Sequence, residues 1–373
     1  MSNTTDITSL RDWLATALRS GRPPPLDDAV TAQQLLDAAE REGVAALLEA
    51  RLRSEGGWEA LSERQRDALQ SHVRGVAAHW LLRLDELRRI EQVLSAAGMR
   101  VLLLKGSALA LWLYPQPFLR MGGDVDLLLE SADASSQAEA LLAPMGYVRA
   151  FDPGDTHFEL TLRRHVDDTL RCELDVHSRL LNAAAYAELF SFDELWVEAQ
   201  NLCGVGPCMR ALSPTHALAH ACLNRALDMQ NAIPDWLKLL YDLRLMSARN
   251  EDADWRALCA LAADKKIAGV CLRSLQDAVR DVGAVVPPSV AERLQALAVQ
   301  EPTDYRRIGD WRYMQWQHLR ALPTLGARLH WLRQRLLPGA AQLRALYGDG
   351  PLWRLWLRRL GRGVVRVFGH PSR

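Results

Sequence analysis

The stretch DVDLLLE, residues 124–130, constrains this chain more than any other. Its Val-Leu-Leu-Leu centre reads as a buried strand, yet two carboxylates one residue apart stand at its mouth. Residues i and i+2 of a strand share a face, so Asp124 and Asp126 project together, about 6–7 Å apart along the backbone. Two ionised carboxylates that close repel, and burying them unpaired would cost on the order of several kcal/mol. A positive group must sit between them, either an arginine or a hard divalent cation.

A third carboxylate follows from RCELDVH, residues 171–177. With Leu170, Cys172, Leu174 and Val176 on the core face of a strand, Arg171, Glu173, Asp175 and His177 share the other face. Asp175 can then join the aspartate pair from a neighbouring strand. Three oxygen donors suit magnesium, which prefers octahedral oxygen ligation and keeps part of its water shell. Upstream, Lys105-Gly106-Ser107 lies between a short apolar strand, RVLLLKG, and the start of a helix, SALALWLY. Free backbone N–H groups and the helix dipole attract anions there. Gly106 lets the backbone approach a phosphate, and Ser107 can donate a hydroxyl. A phosphate cradle, a paired aspartate and a remote aspartate make a two-metal site for phosphoryl or nucleotidyl transfer.

Around this unit the pattern is helical. The segments 31–55 and 76–98 repeat apolar residues at three- and four-residue steps, with Gly98 as a plausible C-cap, and RPPP at 22–25 sets off a short first helix. Strands are expected at YVRAF, HFELTL and LRCELDVH, the last two joined by the turn RRHVDDT at 163–169. From Ser213 helices return, each opened by Ser, Asp or Pro. The expected fold is α+β: N-terminal helices over 1–98, an α/β core over 99–212, and a helical C-terminal domain over 213–373.

The sequence LLLKGSAL…LY…LRMGGDVDLLLE, with ELDVHSRL some fifty residues on, resembles the polymerase-β-like nucleotidyltransferase superfamily. Within it, the chain is similar to a little-characterised bacterial nucleotidyltransferase family. That family combines a Lys-Gly turn, an Arg before an Asp-x-Asp-Leu-Leu strand, and an Asp-x-His strand. LLDAAEREGVAALL and LLPGAAQLRALYG extend the likeness over most of the chain. The gap of 16 residues between Ser107 and Asp124 is longer than in better-known members of the superfamily. The resemblance implies a small palm-like mixed sheet and a Mg-dependent enzyme with two ions, Mn2+ being a substitute. It implies transfer of a nucleoside monophosphate, AMP from ATP being the simplest, with release of pyrophosphate. Asp124 and Asp126 would ligate both ions. Asp175 would ligate the catalytic one and help deprotonate the acceptor. Gly106 and Ser107 would hold the β- and γ-phosphates, and Lys105 and Arg120 would neutralise triphosphate or carboxylate charge. His177 matches a family position without an assigned role.

Several residues have plainer readings. Lys105 can be a strand-end lysine that keeps its ammonium in water. Arg120 can pair with Asp124 as a structural salt bridge. Lys238 and Asp242, four apart on one helix, read first as a surface ion pair, with a role in binding base or acceptor as the alternative. Cys203, Cys208, His216, His220 and Cys222 could be arranged around zinc, but GVGP at 204–207 reads better as a hairpin and the histidines as core or rim.

Net charge is zero, which argues for no polyanionic partner overall, but the charge is polarised. Arg320 to Arg373 holds 11 Arg, no Lys and one acid, Asp349, for +10, against −10 in the rest. In PLWRLWLRRLGRGVVRVF, Arg354, Arg358, Arg362 and Arg366 recur every four residues beside Trp353, Trp356, Leu360 and Val364. This basic amphipathic segment, 351–368, suits a membrane surface, RNA or an acidic partner, unless its apolar stripe docks on the chain's own helices. No secretory leader and no membrane-spanning run are expected. Six scattered cysteines suit reduced thiols, so a cytoplasmic location is expected. The acceptor is open between a small molecule, a protein and an RNA. The rival function is a catalytically idle nucleotide- or partner-binding module acting through the basic C-terminal helix. No Gly-x4-Gly-Lys-Ser/Thr loop, Gly-x-Gly-x-x-Gly turn or Gly-x-Ser-x-Gly elbow supports another enzyme class.

Overall fold

The computed structural model describes residues 7–27, 29–150, 159–165, 171–231, 233–336 and 339–368. Helices α1 (Ile7–Ser20), α2 (Ala32–Arg41), α3 (Ala45–Glu55) and α4 (Glu63–Ala96) lead into the sheet. Its strands are β1 (Val101–Leu103), β2 (Val125–Leu128), β3 (Val148–Arg149), β4 (Glu159–His165), β5 (Arg171–His177), β6 (Gln200–Asn201) and β7 (Met209–Ala211). Among them lie α5 (Lys105–Trp112), α6 (Ala132–Leu142) and α7 (Phe192–Val197). The chain continues as α8 (Pro214–Gln230), α9 (Leu237–Arg249), α10 (Asp252–Lys265), α11 (Ala268–Val282) and α12 (Pro288–Ala298). It ends with α13 (Trp311–Ala321), α14 (Leu325–Leu336), α15 (Ala340–Tyr347) and α16 (Leu352–Phe368). The architecture is α+β, as expected.

The apolar run 31–55 is not one helix. Gly43 takes a left-handed φ of +69° between α2 and α3. Threonine 31 opens α2 with a reciprocal capping box to Gln34, and Ser62 does the same for α4 with Gln65. The strand β4 also runs further than expected. Arg163, Arg164 and His165, read as a turn, pair in register with Glu173, Cys172 and Arg171. Two ion pairs hold that extension, Arg163 to Glu173 at 2.9 Å and Arg164 to the buried Glu86. The rest of the expected turn, 166–169, and Leu170 lie outside the described residues, as do 157 and 158.

Among the described residues the sheet is mixed, in the order β3-β4-β5-β2-β1-β7-β6. The pairs β2–β5 and β1–β7 are parallel, and the other four are antiparallel. Strand alternation splits the core in two. Val125, Leu127, Leu174 and Val176 face α4 and α6, where Leu87, Ile90, Ala138 and Leu142 complete one cluster. Leu102, Leu104 and Leu128 face the other way, into a larger core. That core joins the first helices to α9 and α11: Leu14, Leu18 and Leu48 pack with Leu240, Leu243, Leu272 and Leu275. The face carrying Asp126, Asp175 and His177 is therefore the one turned away from α4 and α6, toward the larger core.

Candidate active site

Register brings the carboxylates together. In the parallel β2–β5 pair Asp126 stands opposite Asp175, and Leu128 opposite His177. Asp124 directly precedes β2. One oxygen from each of Asp124, Asp126 and Asp175 lies within 4.8 Å of the others, the only such cluster of His, Cys, Asp or Glu among the described residues. A donor set made only of carboxylate oxygens suits a hard divalent cation. The zinc arrangement is accordingly not formed: residues 203–208 make the loop between β6 and β7, Cys203 is exposed, and Cys222 is buried in α8.

The three aspartates differ in surroundings. Asp124 is exposed, Asp175 half-buried and Asp126 only 3% exposed. Buried Asp126 is met by two partners at one oxygen, Oδ1: Lys105 Nζ at 2.7 Å and His177 Nε2 at 3.0 Å. Burial pushes its carboxyl up, but the His177 hydrogen bond and the Lys105 charge outweigh it and hold the pKa down at about 2. Lys105 is thus not simply a strand-end lysine with its head in water; its ammonium is the charge partner of the buried aspartate. Its backbone has φ +48°, left-handed and costly without a glycine, at the first residue of α5. Asp175 is oriented by Thr161, which stands opposite it on β4 and donates Oγ1 to Oδ1 at 2.8 Å.

Ser107 is buried, and its hydroxyl donates to the Asp124 carbonyl at 3.1 Å. That bond ties the start of α5 to the residue that opens the carboxylate strand. A Cβ on Gly106 would come 3.0 Å from Nη1 of Arg120 and 3.2 Å from its Cζ, so the bare glycine admits the guanidinium against the backbone.

The plainer alternative for Arg120, a salt bridge with Asp124, is not formed. Its partner is Asp242 on α9, in a two-pronged pair with Nε at 2.8 Å from Oδ1 and Nη2 at 2.8 Å from Oδ2. Tyr114 adds its hydroxyl to Asp242 Oδ1 at 2.8 Å, and Arg120 Nη1 donates to the Met121 carbonyl. Burial opposes the charge on Arg120, but Asp242 more than offsets it and raises the pKa further. Nor do Lys238 and Asp242 form a surface ion pair. Asp242 is buried, and Lys238 lays its ammonium over the Trp236 ring at 4.7 Å, with no ion pair to Asp242. Burial first, then Arg120, lower the Lys238 pKa, while Asp242, Asp124 and Asp228 oppose them.

Three residues were not singled out as parts of the site. Arg83 on α4 donates to the carbonyls of Gly122 and Gly123, the two residues before Asp124, the second at 3.0 Å. Nothing in LLRLDELRR distinguishes it from its arginine neighbours. Thr161 was legible in principle, because alternation in HFELTL puts it on the face of Glu159 and Arg163. His220 is a core histidine, 3% exposed, as its helical neighbours suggested. It nevertheless lines a cavity of about 40 Å3 with Lys105, Trp112, Arg120, Asn224 and Asp242. Burial, assisted by Lys105, brings its pKa down to about 3, and its Nε2 has no hydrogen-bond partner. The free volume has room for about three or four waters, by the rule that each needs roughly 10–15 Å3.

A family model described as "uncharacterised nucleotidyltransferase" matches residues 28–276. The chain belongs to this family. The protein is a nucleotidyltransferase, and its matched region includes all three aspartates, the Lys105-Gly106-Ser107 turn and the Arg120–Asp242 pair. No curated protein matches the sequence. The nucleotidyltransferase has no helix long and apolar enough to cross a membrane among its described residues. The helices α12 to α16 lie beyond the matched region.

Proposed function

We propose that this nucleotidyltransferase moves a nucleoside monophosphate from a nucleoside triphosphate, ATP in the first instance, to an acceptor hydroxyl, phosphate or amine. The observation that supports this most is the convergence of Asp124, Asp126 and Asp175 beside the start of α5. In the proposed reaction an acceptor oxygen attacks the α-phosphorus and forms the new P–O bond. The bond to the bridging oxygen breaks, pyrophosphate leaves with that electron pair, and the acceptor proton passes to a carboxylate oxygen of Asp175. Two magnesium ions, or manganese, held by Asp124 and Asp126 with Asp175 on one of them, would supply charge neutralisation and alignment when bound.

The chain's own residues do the positioning. Thr161 fixes the Asp175 carboxylate by its 2.8 Å hydrogen bond. His177 fixes Asp126 from below. Lys105, now on Asp126, is long enough to turn its ammonium to a phosphate oxygen once other positive charge reaches that carboxylate. The backbone N–H groups of Gly106 and Ser107 face the β- and γ-phosphates in this reading. The pair Arg120–Asp242 braces Gly106 from behind, and Lys238 lies close enough to Asp124 and Asp228 to meet the base or acceptor.

Calorimetry of ATP with and without magnesium tests this, on the wild type and on Asp124→Ala combined with Asp126→Ala. Binding that requires magnesium and vanishes in the double variant is the expected result. It leads to α-labelled nucleotide transfer assays against small-molecule, protein and RNA acceptors. A folded wild type that binds none of the four NTPs would overturn the proposal.

A further inference from the structure

The helices beyond the family match carry a surface that the catalytic reading does not use. On α16, Trp353, Leu357 and Leu360 are 60%, 59% and 57% exposed, while Leu355 is buried and Trp356 half-buried against the molecule. At 100° per residue, positions 353, 357 and 360 fall within about 60° of each other, so the exposed residues form one stripe. A second stripe with the same spacing runs along α14, where Leu325, Leu329 and Leu336 are exposed and Leu332 half-exposed. Of the fifteen large apolar side chains that are exposed among the described residues, eight lie between Trp316 and Leu360. That concentration marks an interaction surface rather than scattered surface residues.

Charge selects the partner. Arg354 and Arg358 flank the α16 stripe in the open, and the only acid from Arg320 onward is Asp349. A second copy of the chain would set two strongly basic segments face to face, which opposes self-association. Leucine has no ring on which bases stack, so paired leucine stripes are a poor match to single-stranded RNA. Arginines beside a stripe of Trp and Leu match the boundary of an anionic bilayer, with guanidinium groups on the headgroups and apolar side chains at the acyl boundary.

We infer that α14 and α16 form a peripheral docking surface for an anionic lipid bilayer. Among the described residues no helix is long and apolar enough to cross the membrane; the face lies on it.

The test is flotation of the full chain with vesicles of phosphatidylcholine alone and of phosphatidylcholine mixed with phosphatidylglycerol. Tryptophan emission is followed in parallel. Expected are flotation with the anionic vesicles only, a blue shift of emission, and weakening by salt. Replacing Leu357→Glu with Leu360→Glu should lower partitioning at least about tenfold, because two buried leucines are lost from the bilayer side. Arg354→Gln with Arg358→Gln should weaken it as well, and circular dichroism and magnesium-ATP binding report whether each variant is folded. The inference is overturned by no flotation of the folded wild type, by flotation indifferent to the leucine substitutions, or by tighter binding of a single-stranded RNA oligonucleotide than of the vesicles. Association of the wild type into dimers that the leucine variants abolish would also overturn it, in favour of a contact between copies.

Discussion

At the scale of single residues, the most consequential feature is a division of labour among aspartates. Asp126 is buried and met by the Lys105 ammonium and a hydrogen bond to His177, whereas Asp124 stands in the open. Asp242, far along the chain, spends its carboxylate wholly inside the protein on Arg120 and Tyr114. Breaking one side of such a pair strands a buried charge. Arg120→Ala should therefore lower stability by about 3–5 kcal/mol, whereas Arg120→Met with Asp242→Leu should recover much of that. Urea unfolding of the wild type, Arg120→Ala and the double variant measures it. A single-variant loss no larger than that of an ordinary surface substitution would contradict the buried pairing.

At the scale of elements, two joints are open to test. Gly43 separates α2 from α3 at φ +69°, and a Cβ there would lie 2.4 Å from Lys238 Cδ. Gly43→Ala should then cost at least about 1 kcal/mol and disturb Lys238, seen as a lower thermal midpoint and altered magnesium-ATP affinity. The second joint is α13. His318 Nε2 donates to Gln230 Oε1 at 2.9 Å, and its Nδ1 accepts the Ala185 N–H at 3.3 Å, which requires a neutral ring. Burial first, then Arg335, bring its pKa down to about 4. Below the ordinary value of 6.5 the unfolded chain binds a proton that the folded one refuses. Stability is thus full above that pH and falls as pH drops toward 4. In His318→Gln the loss of stability between neutral pH and pH about 5 should shrink by about 2 kcal/mol relative to wild type. Identical pH profiles for the two proteins would exclude the neutral-histidine joint.

At the scale of the whole molecule, the carboxylate site lies between two cores. One backs the sheet with α4 and α6, and the other joins the first helices of the chain to α8–α12. Because the Lys105 ammonium and the His177 hydrogen bond already meet the Asp126 carboxylate, the fold does not depend on a metal ion to relieve that buried charge. Stripping divalent ions with EDTA should leave the circular dichroism spectrum unchanged. Adding magnesium should raise the thermal midpoint by mass action, by about 2.7 kcal/mol of stability at a hundredfold excess over Kd. Unfolding on chelation would show that the Lys105 charge and the His177 hydrogen bond are insufficient, and no stabilisation at any magnesium concentration would argue against a cation at this site.

Much of this protein is written in local pattern. Alternation in DVDLLLE and RCELDVH placed Asp126, Asp175 and His177 on one face of their strands, with Asp124 just before β2, because a period of two needs no knowledge of the partner strand. A period near 3.6 likewise made α4 and α5 legible as helices. Tertiary structure decided what depends on residues distant in sequence. Asp242 is 122 residues from Arg120, so the spacing that suggested a Lys238–Asp242 pair on one helix could not reveal the buried partner across the cleft. Arg83 reaches 39 and 40 residues ahead to the carbonyls of Gly122 and Gly123. The end of β4 was fixed by Glu173 and Glu86, whose attraction outweighs the turn-like appearance of Arg163 to His165. Local periodicity determines which side of an element a residue takes; only packing determines which charge, from another part of the chain, it meets there.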